Sequence, residues 1–308
     1  MKLAFIINEY AGNGNGRLVW QKVKSELTIP YEAHISNYSK HAYLLAREIA
    51  ERATNDGNQV LLIVIGGDGT IHEVANGCVN NKNIILGNIR AGSGNDFARG
   101  FFAFDCVSDI ETFLQKPVIQ MIDIGQLQDA RQELFINSCG IGFDAYVALK
   151  TNASKVKKWL NKFKLGKLSY VYYVVLGLFM FKPFSLTVKQ GENILHYDKV
   201  WFATISNQPY FGGGMKISPK SVVTDGKLEL TIIHNLSKRK FITLFITVFF
   251  GMHIRFREVV QLSGEEFALQ FDRIVPCHAD GEKVNCLELG LTVKVKQKAL
   301  KIAKKICE

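Results

Sequence analysis

The strongest constraint on the fold is a run of six aliphatic residues, VLLIVI at positions 60–65, that ends at once in the glycine-rich segment GGDGT at 66–70. An uninterrupted apolar run of this length is typical of a strand buried on both faces of a parallel sheet. Apolar strands and amphipathic segments alternate in the same way over the first 120 residues. This alternation predicts a doubly wound parallel α/β sheet with helices on both faces.

The predicted strands of this sheet are KLAFII, YEAHIS, VLLIVI and NIILGNI. Helices are expected at residues 15–27, at 40–53 and directly after GGDGT. Ligands of such sheets bind at the carboxyl ends of the strands. Three loops fall there, at residues 8–16, 66–70 and 90–100, and we expect the functional site in them.

The second part of the chain has a different pattern. After about residue 122, strands with alternating apolar and polar residues follow one another through tight turns. This predicts a C-terminal antiparallel β-sandwich domain, into which two apolar helices are inserted. We place the domains at 1–122 and 123–296, with 297–308 as a candidate to join the first. That last segment, QKALKIAKKICE, is expected to form a short basic helix or tail.

The glycine-rich loops match neither of the two commonest nucleotide signatures. GNGNG at 12–16 is not GxGxxG, no acidic residue closes the second strand, and the Walker pattern is absent. Glycines nevertheless let a phosphate approach backbone N–H groups. Beside a polyphosphate the carboxylate of Asp68 would be repelled unless Mg²⁺ lay between them. The loop therefore predicts a Mg²⁺–nucleotide site; the alternative is a tight turn in which Asp68 caps a helix.

The charge of the chain favours anionic partners. Its formal net charge is +10, which suits a nucleotide, a nucleic acid or an anionic membrane. Apolar stretches at 168–181 and 241–254 have 14 residues each, whereas a membrane span needs about 20. Basic residues at 155–167, 237–240 and 255–257 flank them. They are expected either as buried helices or as elements that approach a membrane surface.

The cysteines and most of the histidines give no sign of a metal site. The six cysteines are scattered without a CxxC pair, as in reduced cytosolic proteins. Five histidines show no pairing that indicates catalysis or metal binding, and we expect surface or core positions for His41, His196, His234, His253 and His278.

Five motifs in a fixed order carry a family resemblance: GGDGTIHEVANG, GSGNDFARG, NSCGIGFDA, YFGGGMKISPKSVVTDGKLEL and HADGEKV. Together they resemble the diacylglycerol kinase catalytic domain of bacterial lipid kinases, sphingosine kinases and ceramide kinases. The resemblance covers nearly the whole chain. GGDGT alone also occurs in NAD kinases and phosphofructokinases, whereas the ordered set is specific. It implies an NAD kinase- and phosphofructokinase-like nucleotide domain.

The resemblance also implies which residues contact ATP. These are Asn8, Gly12, Asn13, Gly14, Arg17, Ser36, Gly66, Gly67, Asp68, Gly69, Thr70, Ile71, His72, Ser93 and Asn95. The chain departs from the family pattern at four places. His72 stands where the family usually has Asn, Ser93 where it has Thr, Glu9 where it has Pro, and Arg90–Ala91 where a proline often precedes the loop.

Asp280 would be the catalytic base by this resemblance. Taken alone, ADGE at 279–282 predicts an Asp-Gly hairpin turn. Matched to the family, Asp280 accepts the proton of the lipid hydroxyl, a role that carboxylates take in other phosphoryl transfers. Glu282, with Asp68 and Asp96, would belong to the network that holds catalytic Mg²⁺.

A second Asp-Gly pair, in VVTDGKL at 222–228, is either a hairpin turn or a structural metal site. The resemblance implies that the carboxylate of Asp225 and the carbonyls of Val222 and Lys227 hold the ion. Oxygen ligands of this kind suit Mg²⁺ or Ca²⁺.

The sequence thus predicts a soluble, cytoplasmic, peripheral membrane enzyme that uses ATP and Mg²⁺ to phosphorylate a lipid hydroxyl, converting diacylglycerol to phosphatidic acid. Its expected partners are the lipid substrate and an anionic membrane surface, with no nucleic acid, and the family resemblance implies that a homodimer is possible. The alternatives are an NAD kinase-like activity on a soluble acceptor and a nucleotide- or lipid-sensing protein without catalysis.

Overall fold

The computed structural model describes residues 1–128, 132–152, 166–284 and 289–305. The chain divides into two compact units. The first comprises Met1–Ile124 together with Lys296–Glu308, and the second comprises Gly125–Val295.

The first unit is built on a parallel sheet. Its strands are β1 (Lys2–Ile7), β2 (Glu32–Ile35), β3 (Val60–Gly66) and β4 (Ile84–Arg90), in the order β2-β1-β3-β4. All three pairs are parallel. Every residue of β3 is buried, as expected for a central strand covered on both faces. The parallel register brings the ends of β1, β3 and β4 to one edge, and the glycine-rich loops follow them there.

The helices of the first unit are α1 (Ala11–Glu26), α2 (His41–Asp56), α3 (Asp68–Cys78), α4 (Phe97–Gly100) and α5 (Val107–Gln115). Their apolar residues pack on the sheet in a core that includes Phe5, Trp20, Ile63, Phe104 and Phe113. Burial of each such side chain contributes about 1.5–3 kcal/mol. The first helix begins four residues earlier than expected and is kinked at Gly12, Asn13 and Gly14, which all have positive φ.

The expectation of a helix or tail at 297–308 is wrong for the residues described. They continue β15 (Gly290–Ala303), and Ile302 pairs with Leu86 of β4 in parallel. The spacing of the lysines favours a helix, but Leu300 and Ile302 are buried. Pairing with the sheet therefore overrides local preference.

The second unit is an antiparallel β structure. β5 (Ile119–Leu127) leads into it, and β15 leads out. Between them lie β6 (Leu134–Phe135), β7 (Ser138–Gly142), β8 (Phe184–Gln190), β9 (Asn193–Ser206), β10 (Leu228–His234), β11 (Val259–Gly264), β12 (Glu266–Phe271), β13 (Cys277–Ala279) and β14 (Glu282–Val284). The long strand β9 pairs with β7, β8 and β10. The predicted fold class, a parallel α/β domain followed by an antiparallel sandwich-like domain, is confirmed.

Three helices are described in the second unit: α6 (Phe143–Asn152), α7 (Gly166–Met180) and α8 (Lys238–Val248). They pack in one hydrophobic core, which includes Phe143, Trp201, Ile233, Phe241 and Leu244. The apolar stretches at 168–181 and 241–254 lie largely in α7, in α8 and in the turn after α8. Among the helices described, none is long and apolar enough to cross a membrane. Most of the basic stretch 155–167 lies outside the described residues.

Candidate active site

The loops after β3 and β4 touch each other through glycine backbone. A Cβ atom added at Gly92 would lie 2.5 Å from the Cα of Gly67, and one added at Gly66 would lie 2.7 Å from the Thr70 Cβ. Such distances are closer than real Cβ contacts. Glycine at position 92 lets the two loops meet, and glycine at position 66 makes room for Thr70. The loop after β3 leaves bare backbone N–H groups at the start of α3, where an anion is favoured.

Asp68 reaches across to the second of these loops. The N-cap of α3 is Gly67 and Asp68 is its first residue, so Asp68 does not cap the helix in the way the alternative interpretation requires. Its Oδ1 accepts a hydrogen bond from the Phe97 N–H at 3.0 Å. A Cβ atom at Gly94 would lie 2.7 Å from the Asp68 Oδ2 and 3.8 Å from the Asp96 Oδ2. Two carboxylates therefore flank Gly94.

The loop that contains Gly94 is held by its own side chains. Asn95, with φ of +55°, accepts from the Gly92 N–H at 3.0 Å and donates to the Gly92 carbonyl at 2.9 Å. Arg99 donates to the Gly94 carbonyl and lies 3.4 Å from the Asp96 Oδ1. The predicted site residue Asn95 thus shapes the loop, and Arg99, which the sequence analysis did not single out, fixes both the loop and one carboxylate.

The loop after β1 joins the same group. The amide of Asn8 donates to the Thr70 hydroxyl at 3.0 Å. A Cβ atom at Gly12 would lie 2.2 Å from the Ala91 carbonyl oxygen. Side chain and backbone contacts therefore bring all three predicted loops together at the carboxyl edge of the sheet.

The other predicted nucleotide contacts include both exposed and buried residues. Arg17 forms an exposed ion pair with Glu9 at 3.3 Å. Ser36 is buried at the end of β2, and Ile71 and His72 are buried within α3. Asn13 and Ser93 are exposed. The roles assigned to these residues toward ATP remain predictions.

In the second unit, Asp280 lies in a tight hairpin between β13 and β14. Asp280 and Gly281 have φ of +50° and +89°, which is the backbone of a two-residue type I′ turn. The carboxylate accepts three hydrogen bonds from backbone N–H groups: from Ile136 at 2.8 Å, from Asn137 at 2.8 Å and from Ser138 at 3.0 Å. The Asp-Gly pair forms a hairpin turn, and the segment that enters β7 holds the Asp280 side chain in place.

A buried polar pair supports this turn. His278 Nδ1 accepts from the Gly281 N–H at 3.1 Å, so the ring proton sits on Nε2, 3.9 Å from the Asp144 Oδ2. Thr204 donates to the same oxygen at 2.9 Å. Burial raises the pKa of Asp144 to about 7 and lowers the pKa of His278 to about 4. Sequence patterns indicate neither a partner for His278 nor a role for Asp144, although both residues lie within the quoted motifs.

The region of Asp225 has features of a cation site. Asp225 Oδ1 accepts from the Lys227 N–H at 3.0 Å. Burial, and then the charge of Asp225, raise the pKa of nearby Glu229, whose buried Oε2 has no hydrogen-bond partner. Two carboxylates with an unsatisfied oxygen fit a hard cation. No group of three His, Cys, Asp or Glu side chains that could hold a metal occurs in the described residues, so backbone carbonyls, such as those of Val222 and Lys227, would have to complete the ligand set.

The second unit also contains a narrow apolar cavity of about 30 Å³. Its walls come from α6, α7 and α8, from β9 and from the segment that follows β9, and apart from Asp144 they are apolar. The lining residues are Phe143, Asp144, Val174, Phe202, Phe211, Met215, Ile217, Phe241, Leu244, Phe245 and Val248.

Comparisons with known proteins assign the two halves of the chain. Residues 2–127 match the diacylglycerol kinase catalytic domain, and residues 137–304 match the YegS C-terminal NAD kinase beta sandwich-like domain. A Bacillus subtilis (strain 168) protein named "Putative lipid kinase YtlR" is 34% identical over 287 residues, which are 90% of this chain and 92% of that protein. A Bacillus subtilis (strain 168) diacylglycerol kinase is 27% identical over 87% of this chain and 86% of its own length.

Solved structures show the same fold. A crystal structure of a diacylglycerol kinase from Bacillus anthracis strain Sterne has a TM-score of 0.68 at 14% identity, covering 99% of this chain and 97% of that one. An NAD kinase from Archaeoglobus fulgidus in complex with ATP has a TM-score of 0.51 at 11% identity, covering 99% and 94%. The resemblance predicted from the five motifs is confirmed. The chain belongs to the family of bacterial lipid kinases that carry a diacylglycerol kinase catalytic domain and a YegS-type C-terminal domain.

Proposed function

We propose that this protein transfers the γ-phosphoryl group of ATP, with Mg²⁺, to the hydroxyl of a membrane lipid, and that diacylglycerol is the acceptor and phosphatidic acid the product. The observation that carries the proposal is the pair of carboxylates, Asp68 and Asp96, that both approach Gly94 where the glycine-rich loops meet. Diacylglycerol as the acceptor is supported by relatives that bear the name diacylglycerol kinase, in Bacillus subtilis and Mycobacterium tuberculosis.

On the nucleotide side, the chain supplies position and charge. The backbone of Gly66 and Gly67 and the N-terminus of α3 receive the phosphates. Carboxylate oxygens are the ligands that Mg²⁺ prefers, so Asp68 and Asp96 fit as its holders. When bound, Mg²⁺ neutralises charge on the phosphates and polarises them for transfer. Little covalent chemistry is required of the protein in phosphoryl transfer.

On the acceptor side, Asp280 takes the proton of the lipid hydroxyl as that oxygen attacks the γ-phosphorus, and ADP leaves. The three backbone N–H donors from Ile136, Asn137 and Ser138 hold its carboxylate in one orientation. A fixed carboxylate is what a general base needs, because its contribution depends on alignment with the hydroxyl. His278 and Asp144 act behind it by supporting the turn.

The acyl part of the acceptor is assigned to the apolar cavity of the second unit. At about 30 Å³ the cavity is much smaller than an acyl chain. An acyl chain would therefore enter only as α7 or α8 moves outward. Entry of the acyl chain between these helices would place its apolar carbon atoms against the side chains of Val174, Leu244 and Val248.

The direct test is phosphorylation of lipid by the purified protein. Radioactive ATP and Mg²⁺ are supplied with diacylglycerol vesicles, and separately with a mixed lipid extract, and each labelled product is identified by mass. We expect labelled phosphatidic acid. Asp68→Asn should lower the rate at least about 100-fold, as loss of a charge-stabilising group at a transferring phosphoryl does. Asp56→Asn, which removes an exposed carboxylate paired with Lys2, is the matched control and should leave the rate unchanged.

The same assay separates the rival functions. Labelling of another lipid would refute diacylglycerol as the acceptor but retain the lipid kinase. Labelling of a soluble acceptor without vesicles would replace the proposal by an NAD kinase-like activity. ATP binding with no labelled product in either arm would mean a nucleotide sensor and would end the kinase proposal.

A further inference from the structure

Helix α8 carries apolar side chains on opposite faces. Phe241, Leu244 and Val248 are buried in the core of the second unit. Ile242 and Ile246, one turn apart on the other side, are 56% and 58% exposed. A surface helix normally has one apolar stripe and a polar outer face. Arg239 and Thr243 are also exposed on α8, so the outer side of the helix carries bulky apolar residues among polar ones.

The exposed apolar surface extends beyond α8. Phe249 and Phe250 follow the helix, and Phe250 is 71% exposed. Phe179 and Met180, at the end of α7, are 74% and 63% exposed. The Lys238 ammonium lies over the Phe179 ring at 5.2 Å from its centroid, so the two helix ends are neighbours. We call these six residues, Phe179, Met180, Ile242, Ile246, Phe249 and Phe250, the outer apolar face.

Cations surround this face. Lys238, Arg239 and Lys240 begin α8, and Arg255 and Arg257 follow the turn after it, while residues 237–257 include no Asp or Glu. The next carboxylate, that of Glu258, is engaged by Lys240 at 2.6 Å and by Arg257 at 3.3 Å. The outer apolar face is thus bordered by positive charge.

We propose that the outer apolar face docks on the surface of an anionic lipid bilayer, with α8 lying in the headgroup region. This inference rests on the proposed function and specifies which surface meets the membrane. An amphipathic element that combines bulky apolar residues with Lys and Arg binds such interfaces. Cations close to an anionic surface strengthen the attachment. Together the apolar and basic residues match a bilayer, which offers hydrocarbon below a layer of negative charge.

A second copy of the chain is a poorer match for this face. In a two-fold dimer the same patch meets itself. The five cations of residues 237–257 would then approach five identical cations, with no carboxylate from this stretch to neutralise them. Like charges brought together in this way oppose association.

The position of the face also suits lipid capture. Leu244 and Val248 of α8, and Val174 of α7, line the apolar cavity assigned to the acyl chain. The helices that form this wall therefore carry the outer apolar face on their other side. Docking would bring the wall of the cavity into contact with the lipid that has to enter it.

The test is vesicle binding without ATP. Vesicles of phosphatidylcholine with about one third phosphatidylglycerol are mixed with the protein and separated by flotation. We expect the triple variant Ile242→Ser, Ile246→Ser, Phe250→Ser to bind at least about 10-fold more weakly than the unchanged protein. The control, Ile194→Ser, Ile274→Ser, Leu289→Ser, removes three equally exposed apolar residues of the same unit and should bind normally. Vesicles of phosphatidylcholine alone should bind more weakly to all three proteins, because the cations then lack anionic partners.

Equal vesicle binding by the two triple variants would overturn the proposal. So would sedimentation that shows a dimer dissociated by the first variant alone, because the face would then be a subunit interface. A kinase assay separates this inference from the function it rests on. The face variant should keep its rate on water-dispersed short-chain diacylglycerol and lose rate on vesicles. Unchanged protein that floats with vesicles yet phosphorylates no lipid would retain the docking surface and refute the kinase.

Discussion

The carboxylate of Asp280 accepts a hydrogen bond from the backbone N–H of Asn137 at 2.8 Å, across 143 residues of sequence. Ile136 and Ser138 donate to it as well. The side chain proposed as the catalytic base therefore also ties the β13–β14 hairpin to the segment that enters β7. Substitution of Asp280 should affect stability and catalysis together, and the two effects have to be measured separately.

Asp280→Asn should lower the rate of lipid phosphorylation by about 100- to 10,000-fold, the range for loss of a general base. An Asn amide presents N–H to one of the backbone donors, which leaves that pair unsatisfied and destabilises the fold by about 1–3 kcal/mol. Rates and urea unfolding free energies report the two effects. Asp198→Asn, at an exposed Asp of the same unit bonded to Ser185, is the control. A rate loss that disappears once the unfolded fraction is subtracted would mean that Asp280 is structural only.

Gly92→Ala should weaken ATP binding at least about 10-fold. The new methyl would lie 2.5 Å from the Gly67 Cα, so the loops after β3 and β4 must separate, and the backbone that receives the phosphates shifts. Titration calorimetry with ATP measures the change. The control is Gly191→Ala, which meets no atom within 4 Å but has φ of +59°. It should cost about 1–2 kcal/mol of stability and leave ATP affinity unchanged. Equal ATP affinity in the Gly92 variant would show that the loop contact does not shape the site.

The three glycine-rich loops could be predicted from the sequence because each follows a largely apolar strand, and parallel strands end at one edge. The proximity of His278 to Asp144 could not be predicted from the sequence, because 134 residues separate the two. Only the pairing of β13 with β7 brings them together. The strand at 296–303 was missed for a similar reason. Its lysines have helical spacing, but partners in β4 and around Asp123, which accepts from the Lys298 N–H at 2.7 Å, decide its conformation.

Burial of Asp144 predicts a pH-dependent stability difference. The pKa of this carboxyl is raised from 3.8 to about 7 in the folded chain. Between these values the folded state holds a proton that the unfolded state has released, so this group makes stability fall as pH rises. Asp144→Asn removes that effect. Relative to the unchanged protein, the variant should gain stability as pH rises from about 4 to about 7, by about 1.4 kcal/mol per pH unit for one proton, and level off above.

Urea unfolding at several pH values measures this difference. The pKa of His278 is lowered from 6.5 to about 4, so His278 makes stability rise with pH over that range. His278 is present in both proteins, so only a change in its pKa on loss of the neighbouring Asp144 carboxyl enters the comparison. A difference between the two proteins that stays constant from pH 4 to 8 would contradict the raised pKa of Asp144.

The carboxylates of Asp225 and Glu229 predict stabilisation by a hard cation in the absence of nucleotide. A cation that binds only the folded chain adds about 2.7 kcal/mol at 100 times its dissociation constant. Mg²⁺ or Ca²⁺, added after treatment with a chelator, should therefore raise the melting temperature. Asp225→Asn should abolish the rise, because it removes the proposed side-chain ligand, whereas Asp68→Asn should preserve it, because Asp68 belongs to the nucleotide loops. An equal rise in both variants would place the stabilising ion elsewhere, and no rise in the unchanged protein would leave Asp225 as a turn residue.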